Sequence, residues 1–207
     1  MRLQFAKNHQ NKTMKFWKRV IFSDESPFEE GGSTRKVWIS NDEPRPIQPT
    51  KKYPIKIQVW GAIGWKSKSK LHFIPQGKRL AATDYQQILK ESLLPNIQSI
   101  STKPPIFMQD GAKCHTAAST IKWLNNQNIK TLPMWPAQSP DLNPLENIWK
   151  LVKDNVDTSN ITSDKDLFKV LRCNGMLSIK KTIQNVLSSL PNRINAVIHA
   201  EGGNTKY

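Results

Sequence analysis

The sequence predicts an α/β fold, and three observations carry that expectation. Two short apolar runs each end in an Asp, a meander of β-rich segments lies between them, and amphipathic stretches of helical periodicity come after the meander and alternate with the later strands. At 207 residues the chain suits one domain around one core.

Residues 1 to 18 set Leu3, Phe5, Ala6, Met14, Phe16 and Trp17 among Lys, Asn and Gln, and read as a lead-in helix or arm ahead of a main domain at 19 to 207. The run RVIFSDES predicts a buried strand over 19 to 24 whose C-terminal end delivers Asp24. VWIS (37 to 40), IKIQVWGAIGW (55 to 65) and KLHFIP (70 to 75) predict further strands, joined by Gly, Ser and Pro clusters that suit hairpins. Residues 81 to 97 place Tyr85, Ile88, Leu89 and Leu93 at helical spacing, with Thr83 as the expected N-cap. PPIFMQD repeats the strand-to-Asp pattern at 104 to 110. TAASTIKWLNNQN then predicts a helix, IKTLPMW a short strand and PLENIWKLVKDNV another helix. Trp38, Trp60, Trp65, Trp135 and Trp149 are expected in the core.

The net charge of +15, from 31 Lys and Arg against 16 Asp and Glu, points to a polyanionic partner, DNA or RNA. Residues 1 to 80 hold 17 basic and 6 acidic side chains and residues 81 to 207 hold 14 and 10, so the basic surface is expected mainly in the N-terminal part. Two cysteines, Cys114 and Cys173, with no Cys-x-x-Cys pair, support neither a disulfide framework nor a structural zinc site. No apolar stretch reaches the roughly 18 residues of a membrane helix, and the N-terminus has no signal-peptide core. A soluble protein in a reducing compartment is expected, without a membrane partner or a nucleotide cofactor.

Strand ends in α/β sheets gather ligands, and neighbouring strands would bring Asp24 and Asp110 side by side, where two carboxylates repel unless a cation sits between them. Each also has a structural reading: Asp110 precedes Gly111 and suits a turn, and Asp24 could cap the segment after its strand. Asn143, Pro144 and Glu146 fit N-cap, N1 and N3 of a capping box, so Glu146 could cap its helix, supply a third oxygen ligand, or do both. Such hard oxygen ligands suit Mg²⁺ or Mn²⁺, and two ions roughly 3.5 to 4 Å apart serve in-line phosphodiester displacement. Asp141 competes with Glu146 for the third position, and Glu25 with Asp24 for the first. Strand alternation lets only one of the latter two face the metals, and Asp24 is chosen.

VIFSDESPF, VWGAIGW, FMQDGAKCHTA and WPAQSPDLNPLENIWKLVK, in this order, resemble the catalytic domain of the Tc/mariner superfamily of DDE transposases, and the terminal EGGNTKY resembles that family's ending. The resemblance implies an RNase H-like fold of the retroviral-integrase type, a mixed central sheet with helices on both faces. It also implies a catalytic and metal-binding triad of Asp24, Asp110 and Glu146 with two Mg²⁺ or Mn²⁺ ions. The implied activity is metal-dependent DNA cleavage and strand transfer in cut-and-paste transposition, with transposon ends and target DNA as partners and a homodimer on DNA. His115, and Asn143 ahead of the Glu, take supporting roles.

Two departures accompany the resemblance. Residues 111 to 145 put 35 residues between Asp110 and Glu146, one more than is commonest in the family, and the extra one falls within TLPMWP. The family's N-terminal helix-turn-helix domains would precede Met1, so recognition of specific ends is expected to be missing here. Arg35, Lys36, Arg45, Lys51, Lys52 and Lys56 lie in a Pro-containing segment that resembles the family's loop to DNA or a partner subunit, and equally suits a solvated hairpin whose lysines guard a sheet edge. The alternatives are a simple RNase H-like nuclease and a truncated or domesticated remnant that binds DNA without catalysis. A nuclear location is expected in a eukaryote, and a cytoplasmic one otherwise.

Overall fold

In a computed structural model, residues 1–31, 52–75, 77, 79–102, 104–158, 161–174 and 180–207 are described. The predicted strand at 37 to 40 and the basic residues Arg35, Lys36, Arg45 and Lys51 lie outside them.

Alternation along VIFSD sets the architecture. In β1 (Val20–Glu29), Val20 and Phe22 point into one apolar cluster and Ile21 into another, all fully buried, so this strand must be covered on both faces. Strand β2 (Lys56–Ile63) pairs antiparallel with β1, and β3 (His72–Ile74) antiparallel with β2, which is the expected meander. On the other side β4 (Ile106–Met108) runs parallel to β1, and β5 (Lys130–Thr131) parallel to β4, giving the order β3-β2-β1-β4-β5.

Two helices, α1 (Arg2–His9) and α2 (Met14–Trp17), precede the sheet. They are part of the main core, since Phe5, Ala6 and Trp17 are fully buried in the same cluster as Val20 and Phe22. The predicted helix at 81 to 97 is a composite: α3 (Ala82–Ile88), a π-helical turn at Leu89–Leu93, a 3₁₀ turn at Leu94–Asn96 and α4 (Ile97–Ile100). Its N-cap position is Ala81 rather than Thr83, because the Asp84 carboxylate accepts the Ala81 N–H at 3.1 Å. After β4 come α5 (Lys113–Thr116) and α6 (Ala118–Asn126), and after β5 come α7 (Pro144–Asn155), α8 (Asp164–Asn174), α9 (Lys180–Ser188) and α10 (Leu190–His199). One apolar cluster joins the sheet to side chains of α1, α7, α8, α9 and α10, and the other joins it to α3, α4 and α6, so helices cover both faces. Trp60 and Trp149 are buried as expected, whereas Trp65 and Trp135 are only partly covered. Among the described residues no helix is long and apolar enough to cross a membrane.

The sequence predicts a strand that stops at Asp24, yet β1 runs on to Glu29. Pairing with β4 ends at Phe22, so beyond it, among the described residues, β2 is the only strand paired with β1, and the other edge meets no strand. An open edge tolerates the polar Asp24, Glu25 and Ser26, and also Pro27, which has no N–H to donate. The polar stretch that looks like a strand end is therefore a strand that has lost one neighbour, and the gap beside it is a cleft.

Candidate active site

The register of β1 and β4 positions the first two carboxylates. Phe22 pairs with Met108, so Asp24 and Asp110 each stand two residues past the last shared rung. Asp24 shares the face of Phe22 and points toward α7. Its antiparallel partner on β2 is Gly61, where a Cβ would stand 2.8 Å from the Trp149 ring of α7, so the absence of a side chain lets this helix sit low over the strand beside Asp24. Glu146, one turn before Trp149, is thereby carried to the same cleft. Asp24, Asp110, Asn143 and Glu146 all line it, together with Gly111, Ala112 and the loop from Trp135 to Pro140, around a volume of about 570 Å³.

Asn143 caps α7 through its Oδ1, which accepts the Leu145 N–H at 3.1 Å. The other half of the expected capping box is absent. The Asn143 N–H bonds back to the Ser139 and Pro140 carbonyls, and Glu146 stays exposed at the helix N-terminus with its carboxylate directed to the cleft instead of the backbone.

The carboxylates differ in their surroundings. Burial, with the charges of Glu146, Glu25 and Asp110 nearby, pushes the Asp24 carboxyl up to about 8, and its Oδ2 is buried without a hydrogen-bond partner. Asp110 is shifted the other way, below the usual carboxylate range, because His115 Nδ1 donates to its Oδ1 at 2.5 Å; the Ala112 N–H also donates to Oδ1 at 3.0 Å. Among the described residues no three His, Cys, Asp or Glu side chains already close on one point as a finished cation cage.

Behind Asp110 lies a buried polar network that the motifs did not reveal. Burial would lower the His115 pKa, but the carboxylates of Asp110 and Glu25 outweigh it and raise the imidazole to about 9. Glu25 faces away from Asp24, as alternation requires, and its Oε1 stands 3.4 Å from His115 Nε2 as an ion pair. The Tyr85 ring lies over the imidazole, centroids 3.9 Å apart, and its hydroxyl donates to Gln109, whose amide donates to the His115 carbonyl at 2.8 Å. Tyr85 reads from sequence only as an apolar helix position, and no spacing rule links it to His115.

Asp141 is not a ligand of this cleft. It accepts two bonds from the Arg2 guanidinium, at 2.8 and 2.7 Å, and both the N–H and the hydroxyl of Thr205, at 3.1 and 2.8 Å. Arg2 also donates to the carbonyls of Gly202 and Gly203. Arg193, almost fully buried, donates to the Asp141 carbonyl and to Asn147 at 2.6 Å each. The segment leading into the Glu146 helix is thus clasped between the two ends of the chain. The opposite wall is held by Trp135, whose ring meets Phe5 of α1 edge-on at 5.3 Å. Within TLPMWP, Met134 takes a left-handed backbone (φ 58°) and is 56% exposed, so this loop bulges outward and leaves α7 undisturbed. Of the described basic residues expected at DNA, Lys56 pairs with Glu29 at 3.1 Å and Lys52 lies 5.5 Å from the Tyr53 ring.

Comparison with known proteins agrees with this geometry. The DDE superfamily endonuclease family matches residues 19–168. The Tcb1 transposase of Caenorhabditis briggsae is 30% identical over 216 residues, covering 100% of this chain and 77% of the relative, and the Tc3 transposase of Caenorhabditis elegans is 31% identical over 214 residues, covering 100% and 62%. Among solved structures, the pre-cleavage Mos1 transpososome superposes with a TM-score of 0.82 at 18% identity over 99% of this chain and 63% of that one. The catalytic domain of Mos1 mariner transposase gives 0.75 at 19% identity over 99% and 94%. The chain therefore spans less than two thirds of the Tc3 transposase and of the Mos1 chain in the transpososome, and nearly all of the isolated Mos1 catalytic domain. With the Mos1 catalytic-domain fold, RNase H-like and integrase-type, and a family match over most of its length, this chain belongs to the DDE superfamily of endonucleases, among the Tc/mariner transposase catalytic domains.

Proposed function

We propose that this chain cleaves DNA at transposon ends and joins the freed 3′ hydroxyl to target DNA, with Asp24, Asp110 and Glu146 holding two divalent cations, Mg²⁺ or Mn²⁺. The observation that carries this reading is the buried, unpartnered Oδ2 of Asp24 in a cleft shared with Asp110 and Glu146, a donor set that matches hard cations. Such a pair of ions, when bound, supplies an activated attacking oxygen and charge neutralisation at the leaving oxygen.

The chain's own residues prepare that chemistry. His115 ties up Oδ1 of Asp110 and leaves its other oxygen for the cleft, while Glu25 fixes the far side of the imidazole. Asn143 fixes the first turn of α7 and so the stem of Glu146. The net charge of +15 supports a DNA partner, and structures of Mos1 with Mg, with Mn and in paired-end complexes support metal dependence and two copies working on paired ends.

A strand-transfer assay with pre-cleaved 3′ ends and a plasmid target tests this function. Joined products that require Mg²⁺ or Mn²⁺ are expected. Nicking without joining would make the chain a nuclease, and salt-sensitive binding without either would make it a DNA-binding remnant.

A further inference from the structure

A basic groove lies outside the carboxylate cleft. The turn between β2 and β3 reads Lys66-Ser67-Lys68-Ser69-Lys70. The Ile63–Lys68 bridge and the bond from the Ala62 N–H to Ser69 Oγ (2.9 Å) hold it to the sheet. Between this turn, the end of α8 and the 3₁₀ and α4 region runs a groove of about 530 Å³. Its charged lining is Lys68, Lys70 and Arg172, with no carboxylate; Ser67, Ser69, Asn96 and Ser99 add polar groups, and Leu71 and Phe168 supply apolar ones. None of these residues lines the carboxylate cleft.

The electrostatics of the groove call for an anion. Lys68 is about half-buried, and among the described residues its ammonium, that of Lys70 and the Arg172 guanidinium have no side-chain hydrogen bond or ion pair. Burial alone lowers the Lys68 pKa, because no neighbouring carboxylate compensates. Half-burying a cation without a counterion opposes folding, and a phosphate oxygen placed there would remove that opposition. Three cations lining one groove, with hydroxyl and amide donors beside them, suit the phosphate oxygens of a nucleic-acid backbone, whose contacts position a protein independently of sequence.

We propose that this groove binds the phosphodiester backbone of a duplex at a position distinct from the scissile phosphate, anchoring DNA beyond the cleft. The choice of DNA as the polyanion rests on the transposase reading.

Equilibrium binding of a 30-base-pair duplex, measured without divalent metal over a range of salt, tests the proposal. The variant Lys68→Ala/Lys70→Ala/Arg172→Ala is compared with wild type and with Lys7→Ala/Lys15→Ala/Lys122→Ala, which removes the same charge from exposed helix positions. The groove variant should lower the slope of log K against log salt by about 2 to 3, since each phosphate contact contributes about 0.9, and weaken binding at least about 10-fold. The control should change the slope by less than about 1. Equal losses in both variants, or an unchanged slope in the groove variant, would overturn the site while leaving the transposase reading intact. Absence of salt-dependent binding by the wild type would overturn both. A thermal shift caused by inorganic phosphate and lost in the groove variant, with the DNA slope unchanged, would reassign the groove to a small anion and likewise overturn the proposal.

Discussion

Asp110→Ala is expected to reduce metal-dependent nicking by at least about 10³-fold while leaving salt-sensitive DNA binding intact or slightly tighter. Losing one cation ligand at a phosphoryl-transfer site forfeits several kcal/mol of transition-state stabilisation, and about 4 kcal/mol corresponds to that factor. Binding is held by counterion release along the duplex, and removing a negative charge from the cleft does not weaken it. Glu25→Gln should act mainly through His115, while also removing one of the charges that raise Asp24. It leaves Asp110 in place but loosens the imidazole, so a smaller loss, about 10-fold to 100-fold, is expected, as for groups that orient metal ligands. A radiolabelled-plasmid nicking assay with parallel filter binding separates the two effects. Unchanged nicking in Asp110→Ala would remove Asp110 from the site.

Asp141→Ala should cost stability more than any single change at the cleft rim. The substitution leaves Arg2, whose side chain is 15% exposed, without its counterion and with only the Gly202 and Gly203 carbonyls as acceptors, and it takes the acceptor from both Thr205 donors. Breaking a largely buried charge pair of this kind costs about 3 kcal/mol, which for a chain of this size lowers Tm by about 6 to 12 °C. Asp141 also brings a pH dependence. Burial would raise its pKa, but the Arg2 guanidinium and Thr205 outweigh burial and hold it below its ordinary value of 3.8. A depressed carboxylate contributes stability that is complete above its unfolded pKa and lost as pH falls through the folded one, so the clasp should fail only in acid, below about pH 4. Asp141→Asn should flatten that part of the melting-temperature profile. A Tm within about 2 °C of wild type for Asp141→Ala would show that the clasp does not hold the chain ends.

The same residue shows where the sequence stops being legible. Asp141 and Glu146 are five apart in PDLNPLE, and both could face one site. Asp141 is instead tied by Arg2 and Thr205, which lie 139 and 64 positions away in the chain, beyond the reach of any local spacing rule. Alternation, by contrast, implies opposite faces for Asp24 and Glu25, and the structure has Asp24 in the cleft and Glu25 beside His115. It could not show that Glu25 would find His115, since that contact depends on where α5 sets His115 in the fold. The described strands were legible as short β-branched and aromatic runs, and the amphipathic helices because burial on one face imposes a period. The continuation of β1 past Asp24 was not, because a strand with one open edge carries polar residues and Pro27 that read as a turn. The π-helical turn at Leu89–Leu93 has the same apolar positions as an α-helix and leaves no separate signal.

Metal binding by the DNA-free protein probes the three carboxylates most directly. Without metal, Asp24 is raised from 3.8 to about 8 and His115 from 6.5 to about 9. Each raised group contributes stability that is full below its unfolded pKa and lost as pH rises through its folded one, so the two together should lower Tm from about pH 4 to about pH 9. Mn²⁺ added at pH 8 should raise Tm in a saturable way and release protons, because Asp24 must ionise to bind it. The triple variant Asp24→Asn/Asp110→Asn/Glu146→Gln should show neither effect. An equal Mn²⁺-dependent rise in that variant, or no rise in the wild type, would contradict a metal site at Asp24, Asp110 and Glu146.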